Sequence, residues 1–351
     1  MAQLGLTTYR LNNNLKSTAL LVAFPFLLLV LVGAIAGAFG ATQGYGDPVE
    51  FAVNVLIQTW PIVLGVAAIW VLIGYFFNGA IIRHATGAVS LTRQQEPELY
   101  NLVENLCISR GLAVPKLYIV ETDAKNAFAS GIDQRTFAIT VTRGLLNALD
   151  KDELEAVLAH ELTHIMNRDT RLLIVTIVFV GMISFLAQLL WRGMRVMSFR
   201  SRGKGGLAVL VFVLIAAAIS GIGYLLALIL RFAISRRREY QADAGSVDLT
   251  KNPDALISAL TKIADNPDVP HVPSEVRQMF IENPPSNSSI AHLFDTHPPI
   301  DKRIQVLESL GGHAPQPAIL SAPPEKPGRS SDAPAGGPWG AAPPSQKGPW
   351  G

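Results

Sequence analysis

Four long stretches without a charged residue limit the fold of this chain more than any other feature. They cover residues 17–46, 51–82, 172–191 and 205–230, and each can supply the roughly 20 apolar residues with which a helix crosses a bilayer. The mean hydropathy of +0.31 and the 16% of charged residues are too apolar for an ordinary soluble protein. Because helices buried in a protein core rarely run so long without a charge, we predict about four membrane helices.

Basic residues next to these stretches predict the orientation of the chain. The loop between the first two stretches has acidic but no basic residues, whereas Arg83 and Arg93 follow the second stretch. By the positive-inside rule, the N-terminus and residues 83–171 face the cytoplasm. The connection at 192–204, between the third and fourth stretches, is also basic. Since a spanning hairpin would place it on the other side, the sequence leaves open whether this hairpin crosses the bilayer or only enters it.

Net charge and cysteine content narrow the class of protein further. The net charge is only +2, so nucleic acid is not an expected partner. A single cysteine excludes an internal disulfide framework and suits a reducing compartment. Cys107 shares an apolar stripe with residues at helical spacing, which favours packing in a core over a catalytic thiol. The stripe contains Leu99, Leu102, Val103 and Leu106.

The segment after the second stretch has the pattern of a small α+β unit. Helical periodicity over 97–112 is followed by two predicted strands, at 115–121 and 136–142. The second strand alternates apolar and polar side chains, which indicates a half-buried sheet. Asp150 with Glu153 three positions later resembles a capping box. It predicts a helix with the sequence KDELEAVLAHELTHIMNRD, which runs on into the third apolar stretch.

The pattern HELTH on this helix predicts a metal site. Residues four apart share one helix face, so His160 and His164 can bind one ion while Glu161 points to the neighbouring side. Two imidazoles and one carboxylate suit Zn²⁺, and a catalytic zinc takes three protein ligands and leaves a fourth position to water. A nearby glutamate can accept the proton of that water, and peptide hydrolysis is the matching chemistry. The alternative is a solvated helix face with two surface histidines.

The candidate for the third ligand lies beyond the third and fourth apolar stretches. Glu239 and Asp243 stand four apart on one predicted helix, so Glu239 can bind the metal while Asp243 accepts a ring N–H from a ligating histidine. The alternative is that both carboxylates answer the neighbouring arginines in solvent. If Glu239 is a ligand, both ends of the intervening hairpin return to the same side, and the site lies near the membrane surface.

Four motifs in order give the chain a resemblance to the HtpX-type membrane zinc metalloproteases, which are related to the CAAX prenyl proteases. They are NAFASG (126–131), HELTH (160–164), SRRREYQADAGSV (235–247) and LFDTHPPIDKRI (293–304). The resemblance covers residues 10–311. It implies a mainly α fold with a small α+β, zincin-like catalytic domain in an integral membrane protein with about four hydrophobic helices.

The resemblance also implies roles for the residues of the motifs. One Zn²⁺ per chain would be held by His160, His164 and Glu239, with Glu161 as the general base and Asp243 behind the ligands. A serine stands at position 130, in NAFASG, where the family commonly has threonine. This departure does not touch the chemistry.

Two of the four motifs, the first and the last, receive roles from the resemblance alone. His297 and Arg303 resemble family residues that stabilise the tetrahedral oxyanion, although the same sequence also suits a helix N-terminus with a solvated arginine. Asn126, Ala127 and Phe128 resemble an edge strand that aligns the substrate backbone by strand addition. The alternative for this segment is a tight turn.

The sequence thus predicts five segments and one activity. The expected function is zinc-dependent peptide cleavage from the cytoplasmic side, and the resemblance implies that the substrates are misfolded or damaged membrane proteins of the bacterial inner membrane. Alternatives are processing of one membrane-bound precursor, or a non-catalytic zinc-stabilised scaffold. The Pro/Gly-rich end is either a disordered tail or, through its two GPWG repeats, an anchor for a partner. The segments are a membrane hairpin (1–82), the first catalytic part (83–171), a second hydrophobic hairpin (172–230), the second catalytic part (231–312) and the tail (313–351).

Overall fold

The structure is a computed structural model. Helices make up most of the residues that it describes. Described are residues 2–200, 214–215, 217–218, 221, 236–282 and 298–313. The helices are α1 (Ala2–Gln43), α2 (Pro48–Thr86), α3 (Pro97–Arg110), α4 (Arg143–Ala148), α5 (Lys151–Met166), α6 (Asp169–Arg200), α7 (Arg236–Thr250), α8 (Pro253–Ala264), α9 (Ser274–Arg277) and α10 (Ile300–Ser309). The strands are β1 (Val89–Ser90), β2 (Lys116–Val120), β3 (Ala127–Ser130) and β4 (Ala138–Thr142). The predicted fold class, mainly α with a small α+β unit, is confirmed.

Three of the described helices are long and apolar enough to cross a membrane. The spans are Leu11–Ala41, Pro48–Thr86 and Asp169–Gln188. Only 22% of the most apolar window of the first span and 6% of that of the second are buried. These two helices therefore expose apolar side chains along most of their length, which a bilayer but not water can cover. The fourth predicted stretch, 205–230, lies largely outside the described residues, as does nearly all of the predicted tail.

The four strands form one sheet in the order β1-β2-β4-β3. β2 and β4 run parallel, whereas β1 and β3 pair antiparallel with their neighbours, so β3 is an edge strand. All five residues of β4 are buried, and the expected half-exposed sheet is wrong. The physical reason is that both faces are covered: Ile139 packs in the core shared with α5, while Phe128 on the other face packs with Ile82 of α2 and Leu173 of α6.

Helix α5 begins as the sequence predicts. Asp150 accepts a hydrogen bond from the N–H of Glu153, and the Glu153 carboxylate accepts one from the N–H of Asp150, so the capping box is complete. Cys107 is fully buried in the core beside this helix. Burial, with a smaller contribution from Glu104, raises the pKa of its thiol to about 11. The prediction of a packing role for Cys107 is confirmed, because a buried thiol is not a nucleophile at neutral pH.

The end of α5 differs from the sequence prediction. The helix does not run on into the membrane but ends at Met166. Arg168 adopts a left-handed φ of 63°, and α6 starts afresh at Asp169. The break redirects the chain just after the HELTH turn, and it brings the side chain of Asp169 back to the histidines.

Candidate metal centre

Helix α5 presents two buried imidazoles to one point. The Nε2 atoms of His160 and His164 lie 3.2 Å apart, and the two rings meet edge to face with centroids 4.8 Å apart. One turn of helix separates them, as four-residue spacing requires. Both residues are buried, so the pair does not form the solvated helix face that the sequence left open.

Helix α7 adds a carboxylate to the pair. Glu239 Oε2 lies 3.6 Å from His160 Nε2 and 3.7 Å from His164 Nε2. Ligands about 2.0–2.2 Å from a tetrahedrally bound zinc are separated by roughly 3.3–3.5 Å. The three distances between the candidate ligand atoms, 3.2, 3.6 and 3.7 Å, are close to this separation. Two imidazoles and a carboxylate are also a set of ligands that zinc prefers. The residues present therefore fit the metal that the sequence predicts.

Close packing of α7 on α5 brings Glu239 to the histidines. A Cβ at position 245 would lie 2.4 Å from Cγ2 of Thr163, so only glycine fits between the two helices there. Next to it, Ser246 donates a hydrogen bond to the carbonyl of Ala156 at 2.7 Å. These contacts fix the two helices at a short distance and in one register.

A buried ion pair stands behind His160. Asp243 Oδ1 lies 3.0 Å from Nδ1 of His160, and the Arg303 guanidinium donates to both Asp243 oxygens at 3.0 and 2.6 Å. Burial by itself raises the pKa of Asp243, but the charge of Arg303 and hydrogen bonds from Arg303 and His160 lower it overall. Asp243 is thus held as an anion facing His160, an arrangement that orients the ring and favours Nε2 as the metal-binding atom.

His164 has a matching partner that the sequence did not reveal. Its Nδ1 lies 3.0 Å from Asp169 Oδ2, and the other oxygen of Asp169 accepts a hydrogen bond from Nδ2 of Asn13 at 2.8 Å. The same Nδ2 also donates to the carbonyl of Asn167 at 3.1 Å. Burial alone lowers the pKa of His164, but Glu239 and Asp169 outweigh it and raise the pKa to about 10. A cation at the site would therefore replace a proton on this ring.

Glu161 faces the same space from the neighbouring side of α5. Its side chain is buried, and neither oxygen makes a hydrogen bond of ordinary geometry within the described residues, although the backbone N–H of Ala129 lies near enough to lower its pKa. Burial raises the pKa of this carboxyl above the usual value. Glu161, His164 and Glu239 line a cavity of about 10 Å³, close to the space that a single water needs.

The edge strand β3 passes this cavity, and part of its edge is already paired. Ala127 accepts a hydrogen bond from the N–H of Ile281 at 2.9 Å, and Phe128 bridges to Phe280. The buried Asn126 side chain donates to the carbonyl of Glu282 at 2.7 Å and accepts from the N–H of Ile281 at 3.2 Å. In this state the predicted substrate-binding residues 126–128 therefore hold a segment of this chain itself.

The structure describes only one of the two residues with predicted oxyanion roles. His297 lies outside the described residues. Arg303 is fully buried, and besides Asp243 it binds the carbonyl of Ile281 at 3.0 Å. Its described contacts thus hold the partner of His160 and the segment beside the edge strand, and the oxyanion role stays a prediction.

Known proteins are similar in sequence to most of this chain. The profile of peptidase family M48 matches residues 93–310. A protein named Protease HtpX homolog from Bacteroides fragilis (strain YCH46) is 44% identical over 320 residues, which cover 88% of this chain and 99% of that protein. The chain belongs to peptidase family M48. Another Protease HtpX homolog, from Ligilactobacillus salivarius (strain UCC118), is 35% identical over 302 residues, with 85% and 97% covered.

Family membership and the apolar spans define the class of this M48 chain. The crystal structure of S. mikatae Ste24p is similar over 86% of this chain and 67% of that one, with 18% identity and a TM-score of 0.46. The resemblance drawn from the four motifs is confirmed by the family match and the HtpX relatives. The chain is an integral membrane protease of a metallopeptidase family.

Proposed function

We propose that this M48 chain is a zinc-dependent endopeptidase that cleaves misfolded or damaged proteins of the bacterial inner membrane from the cytoplasmic side. The observation that carries the proposal is the cluster of His160, His164 and Glu239, with the buried Glu161 beside it. Its relatives from two bacteria share nearly the whole chain, which supports the bacterial setting. This cluster would hold one zinc ion, which would supply Lewis-acid activation of water and of the scissile carbonyl.

The side chains around the cluster have separable roles in this reaction. Glu161 takes a proton from the attacking water and returns it to the leaving amine. Asp243 and Asp169 orient the two histidines. For strand addition at β3, a substrate replaces the segment at 280–282 that pairs with this strand in the structure. The oxyanion roles of His297 and Arg303 are kept from the resemblance, and that of Arg303 requires its guanidinium to release a present partner.

The position of the site favours substrates that lie in or on the membrane. Asp169, which contacts His164, is the first residue of α6, a candidate membrane span. Asn13, which contacts Asp169, belongs to the span-forming helix α1. The membrane helix α6 therefore begins at a residue that contacts the cluster, and the start of the α1 span lies beside that residue, so a chain leaving the bilayer passes close to the site.

A substrate panel tests this function. Purified full-length protein in lipid nanodiscs would be incubated with a folded membrane protein, a destabilised variant of the same protein and an unfolded soluble protein. We expect cleavage at several sites, and at least about tenfold faster cleavage of the destabilised variant because an extended segment must reach β3. Glu161→Gln protein serves as the control for contaminating proteases. Cleavage at one site in one substrate would replace quality control by precursor processing, and no cleavage at all would leave the scaffold alternative.

Asn13 provides a test of how α1 supports the site. Asn13→Ala removes the donor that fixes Asp169, so His164 loses part of its orientation, and we expect zinc affinity to fall roughly tenfold. The measurement is competition for zinc with a chromogenic chelator. Asn12→Ala is the matched control, because Asn12 is exposed on the same helix. Equal affinities for the two variants would mean that the contact of Asn13 with Asp169 does not support metal binding.

A further inference from the structure

A second cavity lies at the boundary between the membrane helix α2 and the sheet. It has a volume of about 200 Å³, less than the roughly 300–1,000 Å³ of sites that enclose a whole small molecule. One side is apolar and comes from the last turns of α2, where Phe76 and Ala80 line the cavity and are exposed. In a bilayer this side faces acyl chains.

The cavity also carries two positive charges, one on Arg83 from the last turn of α2 and one on the exposed Lys116 at the start of β2. Arg83 and Lys116 both line it, and in the part of the chain that the structure describes neither forms an ion pair with a carboxylate. The guanidinium of Arg83 lies over the ring of Tyr118, 5.2 Å from its centroid, and donates to its hydroxyl at 3.3 Å. A Cβ at Gly79 would lie 3.3 Å from Nη1 of Arg83, so glycine leaves the arginine room to fold back along α2.

Buried hydroxyls complete the polar side. Ser130 and Thr140 line the cavity and are only 4% and 2% exposed, yet their side chains make no hydrogen bond with other described residues. Hydroxyls that line a cavity can donate to a ligand or to water inside it. The nearby carboxylate of Asp133 does not accept a hydrogen bond from Ser130 or Thr140. It accepts from the hydroxyls of Thr136 and Tyr75 instead.

We propose that this cavity binds the phosphate of an anionic membrane phospholipid, with its glycerol toward the sheet and its acyl chains along α2. Unpaired cations and free hydroxyl donors are the chemistry that recognises a phosphate. The apolar rim on a membrane helix selects a phosphate attached to acyl chains over a soluble one. Basic pockets beside membrane helices bind anionic head groups by the same combination. The site is separate from the metal centre, since the residues that line the two cavities do not overlap.

Native mass spectrometry of the full-length protein in detergent tests the proposal with phosphatidylglycerol and phosphatidylcholine as probes. We expect one tightly held phosphatidylglycerol per chain and weaker binding of the zwitterionic lipid. Arg83→Gln with Lys116→Gln should weaken phosphatidylglycerol binding roughly 10- to 30-fold, at about fivefold per basic residue near a membrane surface. Thr140→Val keeps the shape but removes a donor, and should weaken it on the order of fivefold. Lys151→Gln, an exposed lysine on α5, should leave binding unchanged.

Three results would overturn the assignment. Wild-type affinity in the double variant would remove the two cations from the site, and equal retention of the two lipids would remove anion selectivity. The third arm replaces lipid by glycerol 3-phosphate and inorganic phosphate in a thermal-shift assay. If either phosphate compound raises the melting temperature of the wild type but not of the Arg83 variant, and phosphatidylglycerol does not bind, the cavity is a site for a soluble phosphate compound. If the double variant does not fold, the isosteric Thr140→Val variant takes its place, and wild-type affinity for phosphatidylglycerol in that variant would overturn the assignment.

Discussion

Glu161→Gln is expected to lower kcat/KM for an unfolded protein substrate by about 10²–10⁴-fold while zinc stays bound. The range is the usual contribution of a general base. Glutamine has the size of glutamate but cannot accept a proton from water, so the variant removes the proton transfer and one negative charge while keeping the shape of the site. The three expected ligands, His160, His164 and Glu239, are unchanged.

Stability provides the control for this variant. The Glu161 carboxylate is buried, and burial outweighs the nearby N–H of Ala129 and raises its pKa, so burial of its charge costs free energy in the metal-free protein. An uncharged amide in its place should keep or raise the melting temperature of the metal-free form. Zinc content is measured by atomic emission, turnover with a fluorescent casein, and unfolding by calorimetry. Undiminished turnover would remove Glu161 from the mechanism.

The parts of the site that the sequence predicted depend on local regularity. His160 and His164 share a face because α5 is a continuous helix, and the capping box announces where that helix begins. Glu239 and Asp243 follow the same four-residue rule on α7. Periodicity inside one helix needs no knowledge of the remaining chain, which is why these four positions could be named before the structure.

The parts that the sequence missed depend on a break in the chain and on distant contacts. Had α5 continued, Asp169 would have pointed away from His164, and nothing in the residue type at Arg168 announces its left-handed φ of 63°. Asn13 reaches Asp169 from 156 positions away, through packing of membrane helices that has no short sequence signature. Arg303 was placed near the site by family resemblance, but its bidentate contact with Asp243 requires the three-dimensional structure.

The half-exposed sheet was mispredicted for a related reason. Alternation of apolar and threonine side chains in 136–142 is the usual sign of one wet face. In this chain the second face of β4 meets elements that come from far along the sequence, including the ends of α2 and α6. A membrane helix that ends on a sheet covers polar side chains such as Thr140, and that arrangement also creates the cavity beside Arg83.

Glu239→Ala is expected to lower zinc affinity by more than about 100-fold, because loss of an outer partner alone costs about 10- to 100-fold and Glu239 is proposed as a direct ligand. Without it, two imidazoles 3.2 Å apart remain, and zinc sites are held by three or four protein ligands. The loss of affinity should abolish cleavage at zinc concentrations that saturate the wild type. Excess zinc should restore part of the binding.

Asp248→Ala is the matched control for this loss. Asp248 also lies on α7, but it is exposed and pairs with Arg110 and Lys251 rather than with the histidines. Removing its carboxylate changes the charge of the same helix by the same amount, so any general effect of charge on zinc binding appears in both variants. Chelator competition then isolates the contribution of ligation as the difference between them. Unaltered zinc affinity and stoichiometry in Glu239→Ala would mean that another residue completes the site. The proposed metal centre, with two ligands from α5 and one from α7, would then be wrong.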